Sequence, residues 1–249
     1  MRNIWTIARR EYRLYFVGGP IAYIVALVAL LMVGLYFTVV LFYASSQSYY
    51  GTTPPDTSII TSILGLVFLF AAPALTMRLL ADEQRSGTLE LLLTAPITDA
   101  ELVVGKWLGA FLFALTIIAM TLIFPILLNR LTDPGIDQGI MLSNYVAIIL
   151  LVAAYLGIGT AMSSFFKNQF AAFFATLGVL IILWWLIGLP SYIINNVTIT
   201  NVFNYFNLNS RFSAMSGGTV TITDIVFPLS LTALGLFLGT IAVETRRWQ

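Results

Sequence analysis

Apolar and polar residues segregate along this chain in whole segments rather than in short alternations. Runs of roughly 20 apolar residues, the length that crosses a bilayer, recur six times. They are Ile21–Tyr43, Ile59–Leu80, Leu102–Leu128, Tyr145–Phe166, Phe170–Leu189 and Ile225–Val243. Only Lys167-Asn168-Gln169 separates the fourth run from the fifth, so these two form a tight helical hairpin. The first run starts late, and Tyr43-Ala44-Ser45-Ser46-Gln47 after it offers no small-x-small cleavage site, so it is read as a span. No soluble domain, low-complexity tract or internal repeat interrupts the pattern. The expected fold is an all-α, polytopic membrane protein with six transmembrane helices, one domain over residues 1–249.

Two shorter patterns stand outside the spans. Over about residues 3–17, Ile4, Trp5, Ala8, Tyr12, Tyr15 and Phe16 share one arc of a helical wheel. Arg2, Arg9, Arg10 and Arg13 fill the adjacent arc. That is an interfacial amphipathic helix, lying in the headgroup layer before the chain turns inward at Gly18-Gly19-Pro20. The second pattern lies between spans two and three. Gly87 is expected to break the helix that leaves span two, freeing Thr88–Thr94 for a short, leucine-rich helix with Leu89, Leu91, Leu92 and Leu93. Pro96 stands just outside the next helix. Thr98-Asp99-Ala100-Glu101 then reads as a capping box, with Thr98 as N-cap, Glu101 reaching back, and Ile97 and Leu102 placed as a hydrophobic staple.

Composition narrows the class further. The chain is 59% hydrophobic and 9% charged, with mean hydropathy +0.93, against roughly 25% charged for a soluble domain. A net charge of +1 gives no bulk attraction to nucleic acid. With no cysteine and no histidine, disulfides, thiolate nucleophiles and nearly all zinc chemistry are excluded. The distribution of the basic residues says more than their number. With the N-terminus inside, the inner side collects Arg2, Arg9, Arg10, Arg13, Arg78, Arg85, Lys106, Lys167, Arg246 and Arg247. The outer side receives Arg130 and Arg211. This asymmetry places both termini and the 78–106 loop in the cytoplasm, in a cell membrane.

The loop also carries a resemblance. Glu83-x-x-x-Gly87-Thr88-Leu89-Glu90-x-Leu92-x-x-x-Pro96, followed by Glu101-x-x-x-Gly105-Lys106, resembles the signature loop of ABC type-2 transporter permeases. Arg9-Arg10-Glu11-Tyr12, Phe16 and Pro20-Ile21-Ala22-Tyr23 resemble the opening segment of the branch associated with bacterial gliding motility, as do Phe212 to Asp224 and Arg246-Arg247-Trp248. Ser210-Arg211-Phe212 departs from that branch, where a His is expected before the Phe. The resemblance implies a permease subunit of an exporter that pairs with a second permease subunit, identical or homologous. It implies a cytoplasmic ATPase subunit that binds ATP and Mg, and a coupling helix in the loop that receives its motion. Glu83, Gly87, Thr88, Leu89, Glu90, Leu92 and Pro96 are then the coupling residues, with Thr98 and Glu101 as the helix cap. Glu83 is expected to pair near Arg85 or with a basic residue of the ATPase.

The chain itself offers no cofactor site. A phosphate-cradling loop needs G-x-x-x-x-G-K-[ST]. At the sole Gly-Lys pair, Gly105-Lys106, Ala100 takes the first glycine's place and Trp107 the Ser/Thr place. The chain is therefore read as not an enzyme. A secondary transporter would hold ionisable groups within the bilayer, whereas all charges here are read at span ends or in loops. A membrane anchor for a cytoplasmic ATPase, without transport, is the other alternative. Trp107, Trp184, Trp185 and Trp248 read as interface anchors. Phe165, Phe166, Phe170, Phe173 and Phe174 read as helix packing, and Ala44–Ser58 and Asn195–Thr223 as an exit lid or solvated loops. The triplet Asn196-Val197-Thr198 is discounted as a glycosylation site.

Overall fold

The computed structural model describes residues 2–17, 20–47, 57–88, 97–132, 135–193 and 196–247. Among these the secondary structure is helical throughout. Six helices are long and apolar enough to cross a membrane: Pro20–Tyr43, Ser58–Ser86, Asp99–Leu131, Gln138–Phe165, Gln169–Gly188 and Ile222–Arg246. They coincide with the six expected runs and are called spans one to six below.

Span four is the axis of the bundle, because its sequence lets neighbours approach closely. Tyr155, Leu156 and Ile148 are fully buried, and so are Val152 and Ala154. Gly157 and Ala161 face the small positions of span six. A Cβ on Gly235 would stand 2.5 Å from the Gly157 carbonyl, and one on Gly239 3.6 Å from the Ala161 Cα. Small residues four apart on both helices bring the backbones together, which is how helices associate where no hydrophobic effect separates them from lipid. Spans one and five show the opposite character, with broad exposed apolar faces that include Leu27, Leu35, Phe42, Phe170 and Phe174. Phe165 and Phe166 are exposed too, which corrects the expectation that this phenylalanine cluster packs between helices.

Two spans are interrupted. Span three consists of helices Asp99–Met120 and Ile123–Leu131. Pro125 has no N–H to give the Thr121 carbonyl. That carbonyl instead accepts from Phe124 N at 3.1 Å and from the Tyr145 hydroxyl of span four at 3.1 Å. Span two is interrupted at 77–80, between helix Ser58–Thr76 and the short helix Ala81–Ser86. The sequence reading placed the break only at Gly87. Gly87 does end the short helix, in the left-handed region at φ 72°, which glycine adopts without steric cost.

Residues 196–223 are built rather than open. They contain helices Val197–Phe206 and Leu208–Ser216, each N-capped by an asparagine, Asn196 and Asn207. Trp184 is buried between Tyr155 and Phe212, not an interface anchor, while Trp185 beside it is exposed. Trp107 also turns inward, donating to the Ala153 carbonyl at 3.3 Å and stacking on Phe111.

Candidate functional site at the basic end

The N-terminal helix Arg2–Val17 does form, and its partner is span three. Asn3 meets Glu101, a Cβ on Gly105 would touch Ile7, one on Gly109 would touch Glu11, and Tyr15 stacks on Phe113. Each pair is 98 residues apart, so the two helices run side by side in the same direction for about four turns. Gly105 and Gly109 make this possible. A Cβ on Gly109 would stand 2.5 Å from the Glu11 Cβ and 3.0 Å from the Ala8 carbonyl oxygen. The buried stripe is therefore rotated from the expected arc. Ala8, Glu11 and Tyr15 are inside, whereas Trp5 and Phe16 are exposed.

That rotation carries a carboxylate into the bundle. Lys106, 3% exposed, extends from span three to Glu11 and to Glu83 at 2.8 Å each. Three segments far apart in sequence thus share one ammonium group. Lys106 lies two turns inside the helix that starts at Asp99, and what the sequence did not mark is that this rim charge is buried rather than solvated. Glu83's partner is Lys106, not the Arg85 neighbourhood. Removing such charges from water costs several kcal/mol per ion and is tolerated only with close pairing. Arg10 and Arg78 border the same cleft of about 230 Å³, with Asp82 and Leu79. Tyr15 closes its floor by donating to the Leu75 carbonyl at 2.9 Å. Burial, then the nearby Glu11 carboxylate, pushes the Tyr15 phenol well above its ordinary range, which keeps the hydroxyl a donor.

A second contact holds the interruption of span two. Leu80 N and Ala81 N, left without helical acceptors, donate to Ser163 Oγ at 3.0 and 3.2 Å, and Ser163 Oγ donates to the Met77 carbonyl at 3.3 Å. One hydroxyl on span four thus replaces a turn of helix. Gln84 Nε2 donates to the Ser164 carbonyl at 2.8 Å, and Gln169 donates to Asp82. Arg246 of span six donates to the Phe165 carbonyl at 3.1 Å, a cation at a helix C-terminus.

On the far side of the loop, the capping box closes in both directions. Glu101 N donates to Thr98 Oγ1 and Thr98 N to Glu101 Oε2, each at 3.2 Å. Asn3 adds a third hydrogen bond, to Glu101 Oε2 at 3.1 Å. Ile97 packs with Leu80, Leu102, Val103 and Val243. Of the residues expected to couple, Glu83, Gly87 and Thr88 are described, with the Thr88 hydroxyl 2.9 Å from that of Ser86. Leu89, Glu90, Leu92 and Pro96 lie outside the described residues, as does most of the Thr88–Thr94 segment. The sequence reading missed Glu11 and Ser163. The signal for Glu11 was an acid among the arginines of an amphipathic helix; nothing in the sequence marks Ser163 apart from Ser164 beside it.

A family model described as "ABC-2 family transporter protein" matches residues 24–243. The chain belongs to the ABC-2 transporter family. It is also 25% identical to the "Probable ABC transporter permease protein NosY" of Pseudomonas aeruginosa, over 96% of this chain and 93% of that protein. This ABC-2 chain is a multi-pass membrane permease of an ABC transporter, a membrane subunit rather than a catalytic one. Neither match names the gliding-motility branch. Among the described residues no group of acidic side chains has the arrangement to hold a metal ion.

Proposed function

We propose that this ABC-2 permease is driven by a separate cytoplasmic ATPase subunit docked on the 87–98 loop, and that it works as an exporter beside a second permease subunit. The supporting observation is the Glu11–Lys106–Glu83 triad. Glu83 stands four residues before Gly87, and Lys106 eight residues after Thr98. Both stems of the loop are therefore fastened to one buried charge, and through Glu11 to the N-terminal helix. A push on the loop then moves the stems of spans two and three and the N-terminal helix together. The interruption at 77–80, held by one serine, is the place where span two can change angle while its lower contacts hold, as hinged switching elements do. The basic residues that gather at this end favour a cytoplasmic orientation, and the resemblance of residues 83–106 favours export.

Loop docking and buried transmission separate experimentally. Reconstituted with its ATPase, the Glu83→Gln variant should co-purify at wild-type stoichiometry yet lose substrate-stimulated ATP hydrolysis. Glu90→Gln should lose co-purification itself. Wild-type coupling in both variants would reduce the loop to a solvated connection.

A further inference from the structure

We propose that the groove between the N-terminal helix and span three is a binding site for one anionic phospholipid. The groove is a cleft of about 740 Å³. One wall is the helix face carrying Trp5, Arg9 and Arg13. The other is Leu112, Leu115 and Ala119 of span three, with Thr116 held to Tyr12 by a 3.1 Å hydroxyl contact. The two walls are offset along the axis in the order a lipid requires. The register of the two helices sets Arg9 beside residue 107 and Arg13 beside residue 111. The apolar wall begins at Leu112 and continues deeper, for roughly 10 Å to Ala119. Cations therefore stand at the level of a phosphate, and the aliphatic wall continues where acyl chains would run.

Charge decides the class of lipid. The same rotation that buries Glu11 against Lys106 removes the helix's only carboxylate from this face. Among the described residues, no carboxylate pairs with Arg9 or Arg13, and none lines the groove. Two unneutralised guanidinium groups four residues apart, each with a planar fork of donors, match a phosphodiester bearing net charge. Trp5, amphipathic and exposed, sits where such rings border headgroups.

Trp5 makes the site measurable. The protein is placed in phosphatidylcholine nanodiscs with increasing fractions of brominated phosphatidylglycerol, and the Trp5 signal is taken as the difference from a Trp5→Phe partner of each variant. Half-quenching should occur at a low fraction of the brominated anionic lipid, and brominated phosphatidylcholine at equal bromine content should quench less. The Arg9→Gln/Arg13→Gln variant should raise the half-quenching fraction about 25-fold, since each of the two basic residues near an anionic surface contributes about five-fold. Both arginines are exposed, so the fold should stand. An Arg85→Gln/Lys167→Gln variant, which removes equal charge elsewhere at the same end, should leave it unchanged. Equal quenching by the two lipids, or equal shifts in the two double variants, would reduce the site to bulk electrostatics and overturn the proposal. Displacement by millimolar glycerol phosphate would reassign the site to soluble anions and overturn it as well.

Discussion

The two ends of the bundle each bury a charge pair, and they use it differently. At the Arg211 end, Arg211 meets Asp224 at 2.9 Å and lies 4.5 Å over the Tyr205 ring. Everything in that clamp comes from neighbouring turns of one region, residues 205–224. Asp224 is further satisfied by Thr221 N at 3.2 Å and by the Thr221 hydroxyl at 2.6 Å, so it loses little if the arginine leaves. At the basic end, Lys106 joins a helix near residue 11, a stem near residue 83 and the start of span three. A local clamp fixes the shape of a cap. A triad drawn from three segments fixes their relative positions, which is what a structure needs where several elements must move as one.

The sharpest way to break this contrast is at Lys106. Lys106→Met leaves a buried carboxylate, Glu11, and a partly buried one, Glu83, without their cation, and should cost about 3–5 kcal/mol, read as a large loss of thermal midpoint in detergent. The triple variant Glu11→Gln/Glu83→Gln/Lys106→Met removes all three charges and should recover most of the midpoint, because neutral replacement of a buried ionic cluster is often tolerated. Recovery of stability without recovery of ATP-driven transport would show that the triad serves motion rather than folding. A Lys106→Met protein as stable as wild type would mean that the cluster is open to water.

The next effect is smaller and tests the interruption in span two. Ser163→Ala strands Leu80 N and Ala81 N, two buried donors, at about 1–3 kcal/mol. Hydrogen exchange should then rise at 77–81 and not at Thr57, Thr61 and Asn144, whose network at the far end is independent. Arg211→Gln should lose a similar or lesser amount, with ATPase coupling retained. Loss of coupling in Arg211→Gln with normal assembly would erase the distinction between the ends.

What the sequence made legible follows from where the determining forces are local. Six apolar runs, Gly87, and the Thr98–Glu101 box are each set by neighbours within a few residues, and each is found in place. The triad, the Ser163 bridge and the inward turn of Trp107 and Trp184 depend on which faces meet. Glu11 stood in sequence among arginines with no partner assigned, and only the smooth Gly105–Gly109 strip on span three shows why the helix turns to bury it. The break at 77–80 had one local hint, Pro73 one turn earlier, in a segment whose hydropathy alone reads as continuous.

The smallest expected effect compares the two stems of the loop. The stem ending at Gly87 is tied through Glu83 and Ser163 to buried groups, while the Thr98 stem is capped in water, with Thr98 exposed. Thr98→Ala removes one acceptor from an exposed cap, and Glu101 N can turn to solvent. The cost should be about 1 kcal/mol, within the usual 0.5–2 for such caps, well below that of Lys106→Met. Asn3 shares the Glu101 carboxylate with Thr98 N, so the N-terminal helix also depends on this cap. A double-mutant cycle of Thr98→Ala with Asn3→Ala should therefore show coupling of about 0.5 kcal/mol or more. Additive losses would mean that the N-terminal helix is held by Glu11 and the glycine strip alone, leaving the loop's exposed stem free of it.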